Sequence, residues 1–293
     1  MIPTAESLEK TLKCRLIDAV ESRCELMKSA SHLKILGVDI GNLNANALNC
    51  MDEVAKQYID DLCKKLTVHY ANGTPAKIEL NRELYQVGYF HRCGNRLTRQ
   101  TVDLFHDCDN GENLEKEKGL IDFYLSNLDF TAIAAEINRQ ALALGNEGLR
   151  LIALDITDWL GLRYLRRGVT VRSGRIVIGC YPFRYSNVWE TINKLKNLQA
   201  GLALIENDAG LSFGNAITDL IKAADYLNYD YQIIASRTKC GKGGNLEIHC
   251  FKDKHEYRFT REGFDAILAF ISLNGFEDVA NQVLDALNMA EAA

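Results

Sequence analysis

The spacing of the apolar residues changes near the middle of this 293-residue chain, and this change constrains the fold more than any other feature. Between Ser7 and Leu36, apolar residues recur every third or fourth position, which is the period of one buried helix face. After Gly161 the apolar residues form short alternating or continuous runs, as they do in strands. Helices and strands are therefore segregated along the chain, which predicts an α+β fold.

The first part of the chain is predicted to be helical throughout. Amphipathic helices over residues 7–36 and 47–68 are joined by a segment rich in Asn and Gly, so we expect a helical hairpin. The turn Asn72-Gly73-Thr74-Pro75 closes this N-terminal region, which we place at residues 1–70. A mainly helical middle region follows at residues 76–160.

Two local signals in the middle region make specific predictions. A helix over residues 130–144 begins after a cap at Asp129 and ends at Gly145. The acidic segment 107–118 is predicted to be an exposed loop, because it combines many charges with an Asp-Asn-Gly tip.

The C-terminal region, residues 161–293, is predicted to hold a small antiparallel sheet packed with helices. The runs 163–171 and 175–181 flank Arg172-Ser173-Gly174, which is a hairpin signal. Further strands are expected at residues 229–237, 245–251 and 256–259.

Composition defines the broad class of protein. A net charge of −5 with 47% hydrophobic residues is typical of a folded globular chain. No apolar run approaches the roughly 20 residues that span a bilayer, and the first nine residues lack an apolar core, so we expect a cytoplasmic protein without a membrane partner. Nine irregularly spaced cysteines indicate buried, reduced thiols and not a disulfide framework.

A basic, aromatic segment between Gly161 and Ser186 is the strongest functional signal. It contains six arginines, four aromatic residues and no Asp or Glu. Arginine forks grip phosphates and aromatic rings stack on bases, so this mixture predicts a nucleic-acid contact. The alternative is an edge hairpin whose arginines pair with acids elsewhere in the chain. The candidate binding residues are Arg163, Arg166, Arg167, Arg172, Arg175, Arg184, Tyr164 and Tyr181.

Metal and phosphate motifs are weaker. Two His-x-Cys pairs supply four ligands that suit tetrahedral zinc, but their spacing differs from the usual knuckle. Residues 239–244 are basic and Gly-rich, yet they lack the phosphate-loop spacing and are predicted to be a hairpin loop. We therefore expect no metal and no cofactor, with a zinc site as the alternative. Its ligands would be His91, Cys93, His106 and Cys108.

The order of motifs in residues 161–272 resembles an uncharacterised bacterial domain family of prophages and genomic islands. A basic strand pair reads Ser-Gly-Arg-Ile-Val-Ile from Ser173, then come two helices, Gly-Asn-Leu-Glu-Ile from Gly244, and Phe259-Thr260-Arg261 opening a helix. Some members of that family are joined or adjacent to adenine-type DNA methyltransferases. The resemblance therefore implies a DNA-related role on a mobile element, without implying an activity.

Three functional hypotheses follow from these features. The first is a non-enzymatic binding protein of a phage or mobile element that contacts DNA or RNA through the basic hairpin. The second is a protein-interaction module that inhibits or regulates a host-defence or DNA-processing enzyme, with the arginines or the acidic segment 107–117 facing that protein partner. The third is a zinc-dependent enzyme. The N-terminal hairpin is also a candidate homodimer surface.

Overall fold

The computed structural model describes residues 2–36, 47–87, 114–165, 169–180, 188–223, 236–251 and 254–292. Within these ranges the chain has the predicted α+β architecture, with long helices and one small antiparallel sheet. The helices are α1 (Ala5–Ile35), α2 (Ala47–Tyr70), α3 (Leu114–Ser126), α4 (Phe130–Trp159), α5 (Val188–Ala209), α6 (Gly214–Lys222), α7 (Arg261–Ile271) and α8 (Glu277–Ala292). The strands are β1 (Thr170–Arg172), β2 (Arg175–Cys180), β3 (Lys239–Cys240), β4 (Leu246–Cys250) and β5 (His255–Phe259). Short 3₁₀ helices lie at Arg82–Leu84 and Leu162–Tyr164, and Ser272–Phe276 joins α7 to α8 through a kink.

The chain divides into two units according to its internal contacts. The helical unit comprises Met1–Asn72 and Lys77–Leu144, and the sheet unit comprises Gly73–Ala76 and Gly145–Ala293. This division falls inside α4, after Leu144. The sequence instead predicts one boundary at the turn 72–75 and another near Gly161, where the spacing of the apolar residues changes. A local pattern shows where elements change type, and contacts show which elements pack together.

In the helical unit, α1 runs antiparallel to both α2 and α3. In the first half of α1, the guanidinium of Arg15 lies 5.0 Å from the ring centre of Tyr58, midway along α2, and further along α1 the charge of Arg23 acts on Cys50, early in α2. Near its end, Arg23 bonds to Glu117, early in α3, and Lys13 bonds to Asp122 further along. The predicted helical hairpin is confirmed. Its buried stripe on α1 is Leu8, Leu12, Leu16, Val20 and Cys24.

A buried ion pair joins α1 to α3. The Nη1 atom of Arg23 lies 2.6 Å from Oε1 of Glu117, and the two side chains are only 6% and 1% exposed. The predicted exposed loop over residues 107–118 is therefore wrong at its end, because α3 already begins at Leu114. Glu117, at this end of the segment, pairs with Arg23, which lies 94 residues away in sequence. A local sequence pattern cannot reveal such a partner.

Breaking this pair should destabilise the helical unit strongly. In Arg23→Ala the carboxylate of Glu117 stays buried without its guanidinium, so we expect a loss of about 3–5 kcal/mol in the free energy of unfolding. The matched control is Asp122→Ala, which breaks the exposed Lys13 pair between the same helices and should leave the free energy of unfolding almost unchanged, because solvent screens this pair. Urea unfolding followed by circular dichroism measures both, and equal losses would contradict this assignment.

Helix α4 continues past the predicted stop at Gly145 and ends at Trp159. The start is as predicted, because Oδ1 of Asp129 accepts the backbone N–H of Ala132 at 2.9 Å. Gly148 is tolerated inside the helix for a packing reason: a Cβ there would lie 1.9 Å from the hydroxyl oxygen of Thr74. Gly148 therefore permits a close approach in this helix, and Gly145 does not end the helix.

The sheet has the strand order β1-β2-β5-β4-β3, and all neighbours are antiparallel. Side chains alternate between its two faces. One face is apolar and packs on α6 and α7 in the main hydrophobic core. This buried face carries Ile176, Ile178, Cys180, Cys240, Leu246, Ile248, Cys250, His255, Tyr257 and Phe259.

The predicted basic hairpin is present but shorter than expected. Its turn residues Ser173 and Gly174 have φ values of 52° and 71°, which matches the tight turns that join twisted strands. However, β1 begins only at Thr170, and Arg163 and Tyr164 lie in a 3₁₀ helix instead of the predicted strand. Gly161 is the N-cap of this 3₁₀ helix, and its left-handed backbone conformation lets the chain turn directly after α4.

Two further expectations concern thiols and membranes. Seven cysteines lie in the described part of the chain, all are free, and five of them are buried, as predicted. Among the described helices, none combines the length and apolar character that a membrane span requires.

The buried histidine of the sheet should make the sheet unit sensitive to acid. Burial lowers the pKa of His255 from 6.5 to about 4, so between these pH values the unfolded chain binds a proton that the folded chain rejects. Stability should therefore fall as pH drops from 6.5, by up to about 1.4 kcal/mol per pH unit. Urea unfolding followed by tryptophan fluorescence should show a shallower fall for His255→Leu than for the exposed-site control His32→Leu. Identical slopes would contradict the assignment.

Candidate functional site

The face of the sheet opposite α6 and α7 is covered with charged side chains, and we call it the charged face. The strand register determines its membership. Arg172 lies opposite Arg175, Glu247 and Val177 lie opposite Arg258, and His249 lies between Lys239 and Glu256. The charged face consists of Arg172, Arg175, Lys239, Glu247, His249, Lys254, Glu256 and Arg258.

Cations outnumber anions on the charged face. Five of its residues are Arg or Lys and two are Glu, which leaves three positive charges in excess when His249 is neutral. The cations come from β1, β2, β3 and β5, and Lys254 adds its ammonium from the turn before β5. Neighbouring strands lie about 4.8 Å apart, so this surface is roughly 19 Å wide across the five strands.

Glu256 organises one half of the charged face. Its side chain is only 7% exposed, yet it is a carboxylate that lies within ion-pair distance of three cations. The ammonium of Lys254 lies 3.0 Å away, and the guanidinium atoms of Arg172 and Arg258 each lie 3.8 Å away. One buried anion therefore holds three positive side chains close together, which would otherwise repel one another.

Glu247 organises the other half. Its Oε1 atom lies 3.2 Å from Nη2 of Arg175 and accepts the backbone N–H of Gly243 at 3.1 Å. Arg175 also donates to the carbonyl oxygens of Gly244 and Arg258, so its guanidinium is fixed by the backbone as well. Burial, followed by the charges of Arg258 and Lys239, lowers the pKa of His249 on this half, which keeps that ring neutral.

An exposed aromatic ring borders these cations. Phe251 follows β4 two residues after His249 and is 40% exposed. The ammonium of Lys254 lies 5.5 Å from the centre of this ring, in the range of a cation–π contact. The face thus offers a flat apolar group beside its positive charges.

A cavity of about 830 Å³ adjoins the charged face at its β1–β2 edge. Arg172, Lys254 and Glu256 belong to both surfaces. The end of α4 forms another wall with Asp155, Asp158 and Trp159, and Lys194 reaches the cavity from α5. The rest of the described lining includes Leu160, Gly161, Tyr164, Leu165, Thr170, Val177, Gly179 and Cys180.

The predicted site residues are distributed between these two surfaces. Arg172 and Arg175 lie together on the charged face, and Tyr164 lines the cavity with 84% of its surface exposed. Arg163 lies elsewhere, since its guanidinium is 5.3 Å from the ring centre of Phe276. Four candidates fall outside the described residues: Arg166, Arg167, Tyr181 and Arg184.

The three candidate arginines that lie within the described residues are all near carboxylates. The nearest distances are 3.4 Å from Arg163 to Asp158, 3.8 Å from Arg172 to Glu256, and 3.2 Å from Arg175 to Glu247. Arg172 and Arg175 therefore lie together on one surface, and each also lies near a carboxylate. This arrangement combines the predicted cationic surface with the alternative in which the arginines pair with acids. Arg172 keeps 58% of its side chain exposed despite its partner.

The candidate metal and phosphate motifs have different outcomes. His91, Cys93, His106 and Cys108 lie outside the described residues, and within the described ranges no three His, Cys, Asp or Glu side chains are arranged to hold a metal ion. Lys239 and Cys240 form β3 instead of part of the predicted loop, and residues 241–244 form the hairpin loop between β3 and β4. Its N–H groups at Gly241 and Gly243 donate to Asp219 and Glu247, so the carboxylates of the protein occupy donors that a phosphate would need.

Sequence reasoning missed several residues of the site, namely Lys239, Glu247, His249, Lys254, Glu256 and Arg258. The alternation in residues 245–251 and 256–259 did contain a signal, because it places Glu247 with His249, and Glu256 with Arg258, on the polar side of each strand. It could not show that β5 inserts between β2 and β4, which brings these residues beside Arg172 and Arg175.

Comparisons of this chain with family models, with curated proteins and with solved structures find no match.

Proposed function

We propose that the sheet unit binds nucleic acid through the charged face, as a non-enzymatic protein of a phage or other mobile element. The observation that carries this proposal is the gathering of five cations with only two carboxylates on one face of a five-stranded sheet. Nucleic-acid affinity depends largely on such cations, because each one that neutralises a phosphate releases a condensed counterion.

The arrangement of the cations suits a strand that crosses the sheet. Arg172 lies on one edge strand and Lys239 on the other, so a bound backbone would meet positive charge at both ends of a surface about 19 Å wide. Between them lie the guanidinium groups of Arg175 and Arg258, which are about one-fifth exposed and add positive charge to the middle of the surface. Phe251 supplies an aromatic surface on which a base can stack.

The carboxylates support this arrangement and do not cancel it. Glu247 and Glu256 are mostly buried, while Arg172 is more than half exposed and Lys239 is exposed. Glu256 therefore lies beneath the surface, and Arg172, Lys239 and Lys254 remain accessible to a phosphate. Arg175 and Arg258 are about as little exposed as Glu247 and add positive charge from partly buried positions.

The resemblance of residues 161–272 to a domain family of prophages and genomic islands supports the same proposal. Some members of that family are joined or adjacent to adenine-type DNA methyltransferases, which places them in a DNA-related context. A mobile-element protein with a cationic sheet face fits such a context.

Removing two accessible cations should weaken binding. In the double variant Arg172→Gln, Lys239→Gln we expect roughly tenfold weaker binding to a labelled single strand of about 20 nucleotides at about 50 mM salt. The salt dependence should also become shallower by about 1.4 in a log–log plot, which is about 0.7 for each lost phosphate contact. Fluorescence anisotropy titrations at several salt concentrations measure both effects.

The matched control is Arg150→Gln, Lys222→Gln, which makes the same charge change at exposed positions on α4 and α6. These residues lie off the charged face, so binding should stay within about twofold of the wild type. Equal weakening in both double variants would show that only net charge matters. Absence of binding to DNA and RNA at about 50 mM salt would contradict the proposal outright.

Removing a carboxylate should have the opposite effect. Glu247→Gln deletes one negative charge from the charged face, and the amide oxygen can still accept the N–H of Gly243. We expect roughly threefold tighter binding to the same strand, because one charge that repels phosphate is lost while the carbonyl oxygens of Gly244 and Arg258 still hold Arg175. The control is Glu147→Gln on the exposed surface of α4, which should leave affinity unchanged. Weaker binding by a folded Glu247→Gln protein would contradict the proposed role of this face.

A further inference from the structure

The cavity beside the charged face differs from it in chemistry. The charged face presents mainly cations, whereas the cavity combines two aromatic rings, two aspartates on one helix turn and the cations that it shares with the face. Its volume of about 830 Å³ lies within the roughly 300–1,000 Å³ of pockets that hold small organic ligands. The cavity is therefore large enough for a nucleotide and chemically suited to more than its phosphate.

The aromatic groups are placed to stack on a flat ligand. The indole N–H of Trp159 donates to the hydroxyl of the buried Tyr257 at 2.8 Å, which fixes the orientation of the indole in the cavity wall. Tyr164 is 84% exposed and belongs to the same lining. A base that enters the cavity can therefore cover apolar ring surface that water now contacts.

Asp155 and Asp158 supply hydrogen-bond acceptors. An ionised carboxylate can only accept, so the ligand that it favours must present N–H donors. Asp158 already faces Arg163 at 3.4 Å, and Glu256, the third carboxylate of the lining, faces three cations, which leaves Asp155 as the acceptor that a ligand can engage. Burial, and the neighbouring Asp158, raise the pKa of Asp155, while Lys194 opposes this shift, so its negative charge gains from a ligand that donates to it.

From this combination we infer that the cavity holds a guanine base of the strand bound on the charged face, an inference that rests on the proposed function. The Watson–Crick edge of guanine has two adjacent donors, the ring N1–H and the exocyclic amino group, and together they match the two oxygens of one carboxylate. Adenine and cytosine place an acceptor nitrogen beside their amino group, and uracil places carbonyl oxygens on both sides of its one N–H. These acceptors would repel Asp155.

The shared cations connect the two sites. Arg172 and Lys254 line the cavity and also belong to the charged face, so the phosphate of a nucleotide whose base lies in the cavity meets them at the edge of the sheet. The bound nucleic acid must therefore be single-stranded, or must expose an unpaired base, for a base to enter the cavity.

The first experiment uses free nucleotides and the full chain carrying Trp189→Phe, so that Trp159 is the one remaining tryptophan. The protein is titrated with the 5′-monophosphates of guanosine, adenosine, cytidine and uridine, and binding is measured by the quenching of Trp159 fluorescence. We expect the guanosine nucleotide to bind at least tenfold more tightly than the other three. Asp155→Asn should remove this preference, whereas Asp285→Asn, the same change on the exposed surface of α8, should keep it. Equal affinity for all four nucleotides, or quenching by none, would overturn the inference.

The second experiment separates this inference from the proposed function. Labelled single strands with and without guanine are titrated against the wild type and against Asp155→Asn. If the charged face binds nucleic acid, both strands should bind. If the cavity holds guanine, the wild type should prefer the strand with guanine, and Asp155→Asn should lose this preference. Binding of both strands without any preference overturns the guanine site alone, and failure of both strands to bind overturns the proposed function.

Discussion

The alternation of side chains along antiparallel strands is the constraint from which the structure of the sheet unit follows. One face must be buried against α6 and α7, so every second residue of β2, β4 and β5 is apolar or, in the case of His255, held neutral. The remaining positions have to face the other way. Residues as distant in sequence as Arg172, Lys239 and Arg258 therefore meet on one surface, and the packing of the core produces the charged face.

A surface with so many like charges needs internal anions. Arg172 lies directly opposite Arg175, and like charges in that position oppose strand pairing. Glu256 and Glu247 offset this repulsion from mostly buried positions. The same contacts hold the guanidinium groups in place, so a bound phosphate would find them already ordered. The two carboxylates thus stabilise the grouped cations, while their own negative charge limits the attraction for an anionic ligand.

Local features of the fold could be predicted from the sequence, and non-local ones could not. The α1–α2 hairpin, the Asp129 cap and the turn at Ser173-Gly174 each depend on a few consecutive residues or on helical periodicity. Glu117 was misread because its partner Arg23 lies on another helix. Six of the eight residues of the charged face escaped prediction for the same reason, because their assembly depends on the insertion of β5 between β2 and β4. The cavity joins α4, α5 and three strand segments, so no single stretch of sequence contains it.

Lysine footprinting tests the central claim most directly, because it reports which surface a bound strand covers. The full chain is acetylated with and without a saturating single strand, and the modified lysines are identified by mass spectrometry. The account predicts that the strand protects Lys239 and Lys254 on the charged face and leaves Lys222 on α6 as reactive as before. Equal protection of Lys222, or unchanged reactivity of Lys239 and Lys254 under saturating strand, would contradict it.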